Sequence, residues 1–345
     1  MSRKTTNLKL NIDYENTERN SAWLNGMDQN FNIIDEAIGD YFNSVISASN
    51  RIARVVNLTS VSTLTTTLQR ANKGMSCCSI GKYIYLFGGE SSPTSIYRFN
   101  TEDNTLSLLP LVLPINCYSS CCENTRTKIY LFAINSGIEG TYQNISDDII
   151  EIDIENSLIT ILETKMPFKV SYSSSFEASG SFYIVGGKDE TSAEKDTIIR
   201  FNPSAMTTTT YNSLPITLSS TMSKAYGNYG YIFGGISNST VQNKIYKFDW
   251  QNASITELPI TLVNSIYGSS IIENNDNIYI LGGTNGITYY DDIYKYNITE
   301  GTLTEIEIKL PYGLAKACSD FRVSGFIFGG TNGSENKASI IKFIE

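Results

Sequence analysis

The sequence predicts an all-β fold, a six-bladed β-propeller, preceded by a short N-terminal arm and an α-helical coiled-coil segment. Two observations predict the propeller. An apolar or aromatic run ending in Gly-Gly recurs along the chain, and each copy contains short strand patterns separated by turn residues. A third observation, a heptad pattern before residue 54, predicts the helix. With 345 residues, 41% of them hydrophobic, the chain is long enough to bury a propeller core.

The Gly-Gly motif sets the number of blades. Its first glycine stands at positions 88, 186, 234, 282 and 329, and Ala133 takes its place in a sixth copy. The spacing between neighbouring copies runs from 45 to 53 residues, a period typical of propeller blades. Glycine suits this place because it readily adopts a positive φ where the chain leaves a strand.

Each repeat combines a small-residue strand, an apolar strand before Gly-Gly, a third strand, and a fourth strand that often ends in Leu-Pro. Over residues 75–345 this pattern resembles the Kelch repeat. The third strands carry the aromatic pairs Phe99-Asn100, Phe201-Asn202, Phe248-Asp249 and Tyr296-Asn297. The tryptophan usual in the fourth strand is replaced by Leu106, Ile159, Ile255 and Leu303. The architecture tolerates this departure because any bulky apolar side chain can fill the space between blades.

The last repeat ends after its third strand, so its fourth strand has to come from another part of the chain. Residues 60–64 begin 28 residues before Gly88, and residues 254–258 begin 28 residues before Gly282. The two segments share length and alternation. We therefore predict that residues 58–68 form the outer strand of the last blade, which would tie the ring together and remove exposed strand edges.

Residues 1–53 form a separate region in this prediction, with residues 54–345 as the propeller. Apolar residues at alternating spacings of three and four predict a helix about 45 Å long. This heptad seam consists of Leu24, Met27, Phe31, Ile34, Ile38, Tyr41, Val45, Ala48 and Ile52. Two alternatives remain: the helix packs on the side of the propeller, or it associates with copies of itself. Aromatic and β-branched core residues favour three chains.

The N-terminal region also resembles the attachment region of tail-fibre and baseplate-associated proteins of phages and phage-tail-like particles. The resemblance covers about 35 residues: an extended arm, Trp23, and a motif of Asn30, Phe31, Ile34 and Asp35. It implies a homotrimer docked on a tail or baseplate protein, made in the bacterial cytoplasm without a signal peptide and located in the particle. The attachment and oligomerisation residues would be Trp23, Leu24, Met27, Phe31, Ile34, Ile38, Tyr41 and Val45.

Composition excludes several classes of function. The sequence contains no histidine, which excludes Ser-His-Asp and Cys-His catalysis and histidine-ligated metal sites. A net charge of −9 argues against nucleic acid as a partner. The sequence contains no run of 18 apolar residues, so we expect no membrane insertion. The six cysteines form no Cys-x-x-Cys pair, so we expect free thiols, no metal and no cofactor.

Tyrosines mark the expected binding surface, the funnel built from the loops that join strands 2 to 3 and strands 4 to 1. Tyr118, Tyr172, Tyr267 and Tyr312 lie 14 to 17 residues before the next Gly-Gly position, so they should surround one mouth of the channel. Tyr142, Tyr289 and Tyr290 add to this set from the 2–3 loops. A tyrosine offers an apolar face to a sugar ring and a hydroxyl for hydrogen bonding. The alternative is that these side chains only pack between blades.

Three functions follow from these patterns. The first is a non-enzymatic receptor-binding protein of a phage or tail-like particle that binds a host surface glycan through the funnel. The second is a cytosolic Kelch scaffold that binds a protein. The third is a polysaccharide hydrolase, which needs only two carboxylates. Its candidate acids are Asp147, Asp148, Asp189, Glu190, Asp291 and Asp292.

Overall fold

The computed structural model describes residues 58–137, 144–322 and 324–344. Within these ranges the regular structure is β throughout. Six four-stranded antiparallel sheets are arranged as the blades of a propeller, and a two-stranded ribbon is added to one of them. The high content of β-branched and aromatic residues explains the preference for strands.

The strands follow the repeat order. The labels β1 to β26 follow the chain, and within each blade the strands are given in order from the channel outwards. Blade 1 consists of β2 (Ser76–Ile80), β3 (Tyr83–Phe87), β4 (Ser95–Asn100) and β5 (Thr105–Val112). Blade 2 consists of β6 (Cys121–Asn124), β7 (Lys128–Phe132), β8 (Asp148–Asp153) and β9 (Leu158–Lys165). Blade 3 consists of β10 (Ser174–Ala178), β11 (Ser181–Val185), β12 (Lys195–Asn202) and β13 (Thr207–Leu218).

The second half of the ring repeats this arrangement. Blade 4 consists of β14 (Met222–Tyr226), β15 (Tyr229–Phe233), β18 (Ile245–Asp249) and β19 (Ser254–Glu257), with the ribbon β16 (Ile236–Ser237) and β17 (Thr240–Val241). Blade 5 consists of β20 (Ser270–Asn274), β21 (Asn277–Leu281), β22 (Ile293–Asn297) and β23 (Thr302–Glu305). Blade 6 consists of β24 (Cys318–Phe321), β25 (Gly325–Phe328), β26 (Ser339–Ile344) and β1 (Ser60–Thr67).

The ring is closed by β1, the first strand in the chain. It pairs antiparallel with β26, so that Val61 lies opposite Phe343 and Ser62 opposite Lys342. The inner strand β24 of this blade packs beside β2 of blade 1. β1 therefore lies within residues 58–68 and takes the outer position of the last blade, where the repeat pattern predicted it.

One part of the predicted fold class is wrong. The described residues contain strands and no helix, so the fold class is an all-β six-bladed propeller without the coiled-coil element. The heptad seam and Trp23 lie outside the described residues, and the division of the chain at residue 53 stays a prediction. The helix was inferred from periodicity alone. An isolated helix is marginal without a surface to pack on, and Gly26 and Gly39 lower the helix propensity of this stretch.

Apolar side chains between neighbouring blades form the core. At the junction of blades 1 and 6, the ring of Phe99 meets Phe326 and Phe328 at centroid distances of 4.9 and 5.2 Å in edge-to-face geometry. The residues in place of the expected tryptophan pack half-buried against such clusters. They are Leu106, Ile159, Ile255 and Leu303. Aliphatic side chains thus fill the space between blades.

The Gly-Gly motif connects each blade to the linker that enters the next. In blade 4 the first glycine, Gly234, has φ +53°, and the N–H of Gly235 donates to the carbonyl of Ile266 over 2.9 Å. The same bond recurs in blades 1, 3, 5 and 6, with lengths of 2.7 to 2.8 Å. A Cβ on Gly234 would lie 2.4 Å from the Ile266 oxygen. The first position therefore favours glycine, although Ala133 occupies it in blade 2 with φ +53°.

Six linker residues, each two positions before an inner strand, join the blades in a closed hydrogen-bonded ring, which we call the collar. Each donates its backbone N–H to the carbonyl of the collar residue in the preceding blade, over 2.7 to 3.3 Å. The collar residues are Gly74, Ser119, Tyr172, Ser220, Gly268 and Lys316. All six have a positive φ, four of them despite carrying a side chain. The repeated geometry shows that the strain is imposed by the six-fold ring rather than by local sequence.

Candidate functional site

The propeller has two distinct ends. The upper end carries the linkers from an outer strand to the next inner strand, and the rim loops from the second to the third strand of each blade. Within the described residues, the rim loops are 88–94, 133–137 with 144–147, 186–194, 234–244, 282–292 and 329–338. Single β-bridges such as Tyr267 to Thr284 fasten linkers to rim loops. The lower end carries the turns between the first and second and between the third and fourth strands.

Two of the predicted tyrosines pack between blades. Tyr118 is 1% exposed, and its ring lies edge-on to that of Tyr172 with centroids 6.1 Å apart. It covers Gly74 so closely that a Cβ there would lie 2.2 Å from its Cε2 atom. Tyr172 is itself a collar residue. For these two side chains the geometry favours the packing alternative over ligand contact.

Four other predicted tyrosines lie in the upper linkers and rim loop of blades 5 and 6, and all four are half-buried. Two of them, Tyr290 and Tyr312, also pack against the cores between blades. We call this group, Tyr267, Tyr289, Tyr290 and Tyr312, the tyrosine rim. Tyr142, the remaining predicted tyrosine, lies outside the described residues.

Glycines and polar partners hold the tyrosine rim in place. A Cβ on Gly333 would lie 2.4 Å from the Tyr289 ring, so this glycine lets the ring of a blade 5 residue lie against blade 6. The hydroxyl of Tyr290 accepts a hydrogen bond from Asn285 over 2.9 Å. The ammonium group of Lys337 lies 4.6 Å from the Tyr312 ring centroid, and the Tyr312 hydroxyl bonds with Ser339. The rings are thus fixed before any ligand arrives.

The rim loops of blades 5 and 6 begin with the same tripeptide, Thr-Asn-Gly, and fold in the same way. In blade 5 the Thr284 hydroxyl donates to the carbonyl of Thr288 over 2.7 Å and accepts the N–H of Gly286. The Asn285 side chain accepts the N–H groups of Ile287 and Thr288. Residues 331–335 of blade 6 repeat this set of bonds. Ile287, at the tip of the blade 5 loop, is 90% exposed.

Several of the candidate catalytic acids are bound to lysines. Asp148 accepts a bond from Lys165, Asp189 from Lys195 and Asp292 from Lys309. Burial alone would raise the pKa of Asp189, but the bonds from Lys195 and Thr191 hold it well below its usual range. The pKa of Asp148 is also lowered, because the bonds from Lys165 and Ser146 outweigh its partial burial. A general acid needs a raised pKa, so these two groups have the wrong protonation state for that role.

A cluster of charges on the channel wall was missed by the sequence reasoning. Burial raises the pKa of Glu123 to about 7, although Lys224 and a 2.7 Å hydrogen bond from Ser175 oppose the shift. Burial lowers the pKa of Lys224, but Asp320, Glu273 and Glu123 offset this, so its pKa lies above the usual value. The only sequence signal was a charged residue within the small-residue strands, as in Cys121–Asn124 and Met222–Tyr226.

The sequence reasoning also missed a cavity of about 660 Å³ at the lower end. It is bounded by turns of blades 1, 2, 3 and 6, and Arg126 and Arg322 are among the lining residues. Across the described residues there is no cluster of three or more Cys, Asp or Glu side chains able to hold a metal ion. The described part of the chain also contains no helix that could cross a membrane.

Comparisons with known proteins agree with this architecture. The sequence profile of the KLHDC2/KLHL20/DRC7 Kelch-repeats domain matches residues 120–330, which is more than half of the chain. No curated protein matches this chain. A solved structure titled "Structure of YjhT" is similar, with a TM-score of 0.68 and 15% sequence identity. The match covers 79% of this chain and 95% of the other, and at this identity it shows the fold alone.

Proposed function

Because the chain belongs to the Kelch-repeat family, we propose that its propeller is a binding domain that recognises a cell-surface carbohydrate through the tyrosine rim. The observation that carries this proposal is the group of four half-buried tyrosines at the upper end. Tyr289 and Tyr290 belong to the rigid Thr-Asn-Gly loop of blade 5, and Tyr267 and Tyr312 belong to the linkers that enter blades 5 and 6. We further propose that the chain is a receptor-binding protein of a phage tail or phage-tail-like particle. That step rests on the resemblance of the N-terminal region.

Sugar recognition fits the chemistry of this surface. Tyrosine combines a broad apolar face with a hydroxyl group, and it loses little conformational entropy on binding. The hydrogen bonds of Asn285 and Thr284 fix the rim loop that leads to Tyr289 and Tyr290. A ligand would therefore not have to order the loop, and this lowers the free-energy cost of binding.

We propose that the protein binds its carbohydrate without catalysing a reaction on it. Three of the candidate acids, Asp148, Asp189 and Asp292, are bound to lysines, and the pKa values of Asp148 and Asp189 lie below their usual range. These features suit ion pairs that hold the rim loops, and they disfavour proton donation to a leaving group.

Particle attachment is proposed for residues 1–53, with assembly of the chain as a homotrimer. Three propellers on one particle would bind a repetitive surface polymer much more tightly than one, because the first contact raises the effective concentration of the others. Native mass spectrometry of the full chain tests the assembly: a trimer is expected, and a monomer at all concentrations would contradict it.

Binding is tested with purified full-length protein on immobilised cell-wall polysaccharides of bacteria. We expect Tyr312→Ala to reduce binding about tenfold or more, since loss of an aromatic anchor commonly costs over 1 kcal/mol. Tyr229→Ala is the matched control, because Lys247 lies 3.6 Å from the Tyr229 ring at the lower end, as Lys337 lies over Tyr312 at the upper end. Equal loss in both variants, or in neither, would contradict the tyrosine rim as the binding surface.

The second candidate function is a protein-binding scaffold. It is favoured by the Kelch family and by the exposed apolar side chain of Ile287 on the same rim. A single stoichiometric protein partner, lost in Ile287→Asp and retained in Tyr229→Ala, would support this function over glycan binding.

A further inference from the structure

The lower cavity has the size and lining of a ligand site, and it lies at the opposite end from the tyrosine rim. Its volume of about 660 Å³ falls within the range of small-molecule pockets, roughly 300–1,000 Å³. Turns from four blades form its wall, and Ile80, Phe182 and Pro203 supply the apolar part. Polar and charged side chains outnumber these three in the lining, which suits a small polar ligand with a limited apolar face.

Arginine is concentrated at this cavity. The described residues contain five arginines, and two of them, Arg126 and Arg322, line it, although the chain as a whole carries a net charge of −9. The one carboxylate in the lining, Glu177, already accepts the backbone N–H of Gly180 over 2.8 Å. With two arginines and one carboxylate, the lining has a net positive charge on an acidic protein.

Arg322 is held in a defined orientation. Its Nε donates to the Ser79 hydroxyl, and one of its terminal nitrogens donates to the Ser79 carbonyl. These bonds use part of the guanidinium fork and join blade 6 to blade 1. A guanidinium group fixed in this way is suited to pairing with a planar carboxylate or with a phosphate.

We propose that the lower cavity binds a small acidic ligand of one or two rings, with its carboxylate or phosphate group paired to Arg126 and Arg322. The half-buried side chain of Ile80 faces the body of the ligand, with the buried residues Phe182 and Pro203 behind the wall. The carboxyl groups of Asp320 and Glu273 lie on inner strands of the same channel, so the anionic group stays at the arginine-lined mouth. This site is independent of the proposed carbohydrate binding at the upper rim.

The experiment is isothermal titration of the full-length protein with D-glucuronate and with inorganic phosphate, and with glucose as the neutral counterpart of glucuronate. We expect saturable binding of glucuronate, with a Kd of about 1 mM or lower, and much weaker binding of glucose. Tighter binding of glucuronate than of phosphate would show that the ring contributes, as proposed. Phosphate binding as tight as that of glucuronate would contradict a ring-shaped ligand, because the charge alone would then be recognised.

Variants locate the binding. Arg126→Gln should weaken glucuronate binding at least about tenfold. Arg70→Gln makes the same charge change at an exposed residue in the linker at the upper end, and it should bind as the wild type does. Because Arg322 also bonds to Ser79, Arg322→Lys is used with a check of thermal stability: retained folding with weakened binding supports the role of the fork. No saturable binding of either anion, equal binding of glucose, or equal effects of Arg126→Gln and Arg70→Gln would overturn the proposal.

Discussion

The Gly-Gly motif leads to a quantitative prediction for Gly234→Ala in blade 4. Gly234 has φ +53°, and an alanine Cβ there would lie 2.4 Å from the carbonyl oxygen of Ile266. That carbonyl also accepts the N–H of Gly235 over 2.9 Å. The substitution therefore adds backbone strain and forces the linker away from its hydrogen bond.

The magnitude can be worked out from these two effects. A left-handed conformation costs a residue with a Cβ about 1–2 kcal/mol. Displacing the Ile266 carbonyl leaves a buried polar group without its partner, which costs about 1–3 kcal/mol more. We expect Gly234→Ala to lower the free energy of unfolding by about 2–5 kcal/mol.

Gly227→Ala in the same blade is the control. Gly227 has φ +58°, but an added Cβ would meet nothing within 4 Å, so only the conformational cost of about 1–2 kcal/mol applies. Urea denaturation followed by circular dichroism measures both variants. Equal losses of stability would refute the view that Gly-Gly exists to admit the linker, and would leave only the positive φ as its reason.

Three further predictions concern the closure of the ring and the channel. Val61→Asp puts a carboxylate opposite Phe343 in the closing strand pair and should destabilise the protein by about 2–4 kcal/mol in urea denaturation, whereas Ser62→Asp on the exposed face of β1 should change little. An equal effect of the two would show that β1 does not close the ring through this register. Asn72, 2% exposed, donates to the Gly88 carbonyl and accepts the N–H of Ser91, so Asn72→Ala should cost about 2–3 kcal/mol by the same assay; a loss near zero would contradict this role. The pKa of Glu123 is raised from 4.5 to about 7, so the folded state holds the proton more tightly than the unfolded state. The resulting stability is present below pH 4.5 and is lost as the pH rises towards about 7. A series of denaturation curves should show this fall in the wild type and in the exposed control Glu163→Gln, and a smaller fall in Glu123→Gln; the groups that face Glu123 are Lys224, Ser175, Glu177 and Asp320. An unchanged slope in Glu123→Gln would contradict the assignment.

Features that repeat along the chain could be predicted from the sequence. The Gly-Gly spacing gives the number of blades, because each copy is one sheet with the same core positions. The likeness of residues 60–64 to residues 254–258 predicts an outer strand, and β1 lies there. Local periodicity was less informative for residues 1–53, where a heptad pattern without a known packing surface led to a helix that the described fold does not include.

Features that depend on neighbouring blades could not be predicted. Tyr118 and Tyr267 hold equivalent places in their linkers, yet Tyr118 is buried. The difference lies in the collar residue of the preceding blade. Before Tyr118 this residue is Gly74, which leaves room for the Tyr118 ring, whereas before Tyr267 it is Ser220, which carries a side chain. The proximity of Glu123 and Lys224 has a similar origin: the two residues lie two blades apart and meet only across the channel. The lower cavity likewise combines short turns that show no common motif.

The proposed target-binding surface is the upper rim of blades 5 and 6. Hydrogen–deuterium exchange of the full chain, with and without a cell-wall polysaccharide that it binds, tests this most directly. We predict slowed exchange in the rim loops 284–290 and 331–337 and unchanged exchange in the lower turns. Protection confined to the lower turns, or to rim loops of the opposite blades, would contradict the account.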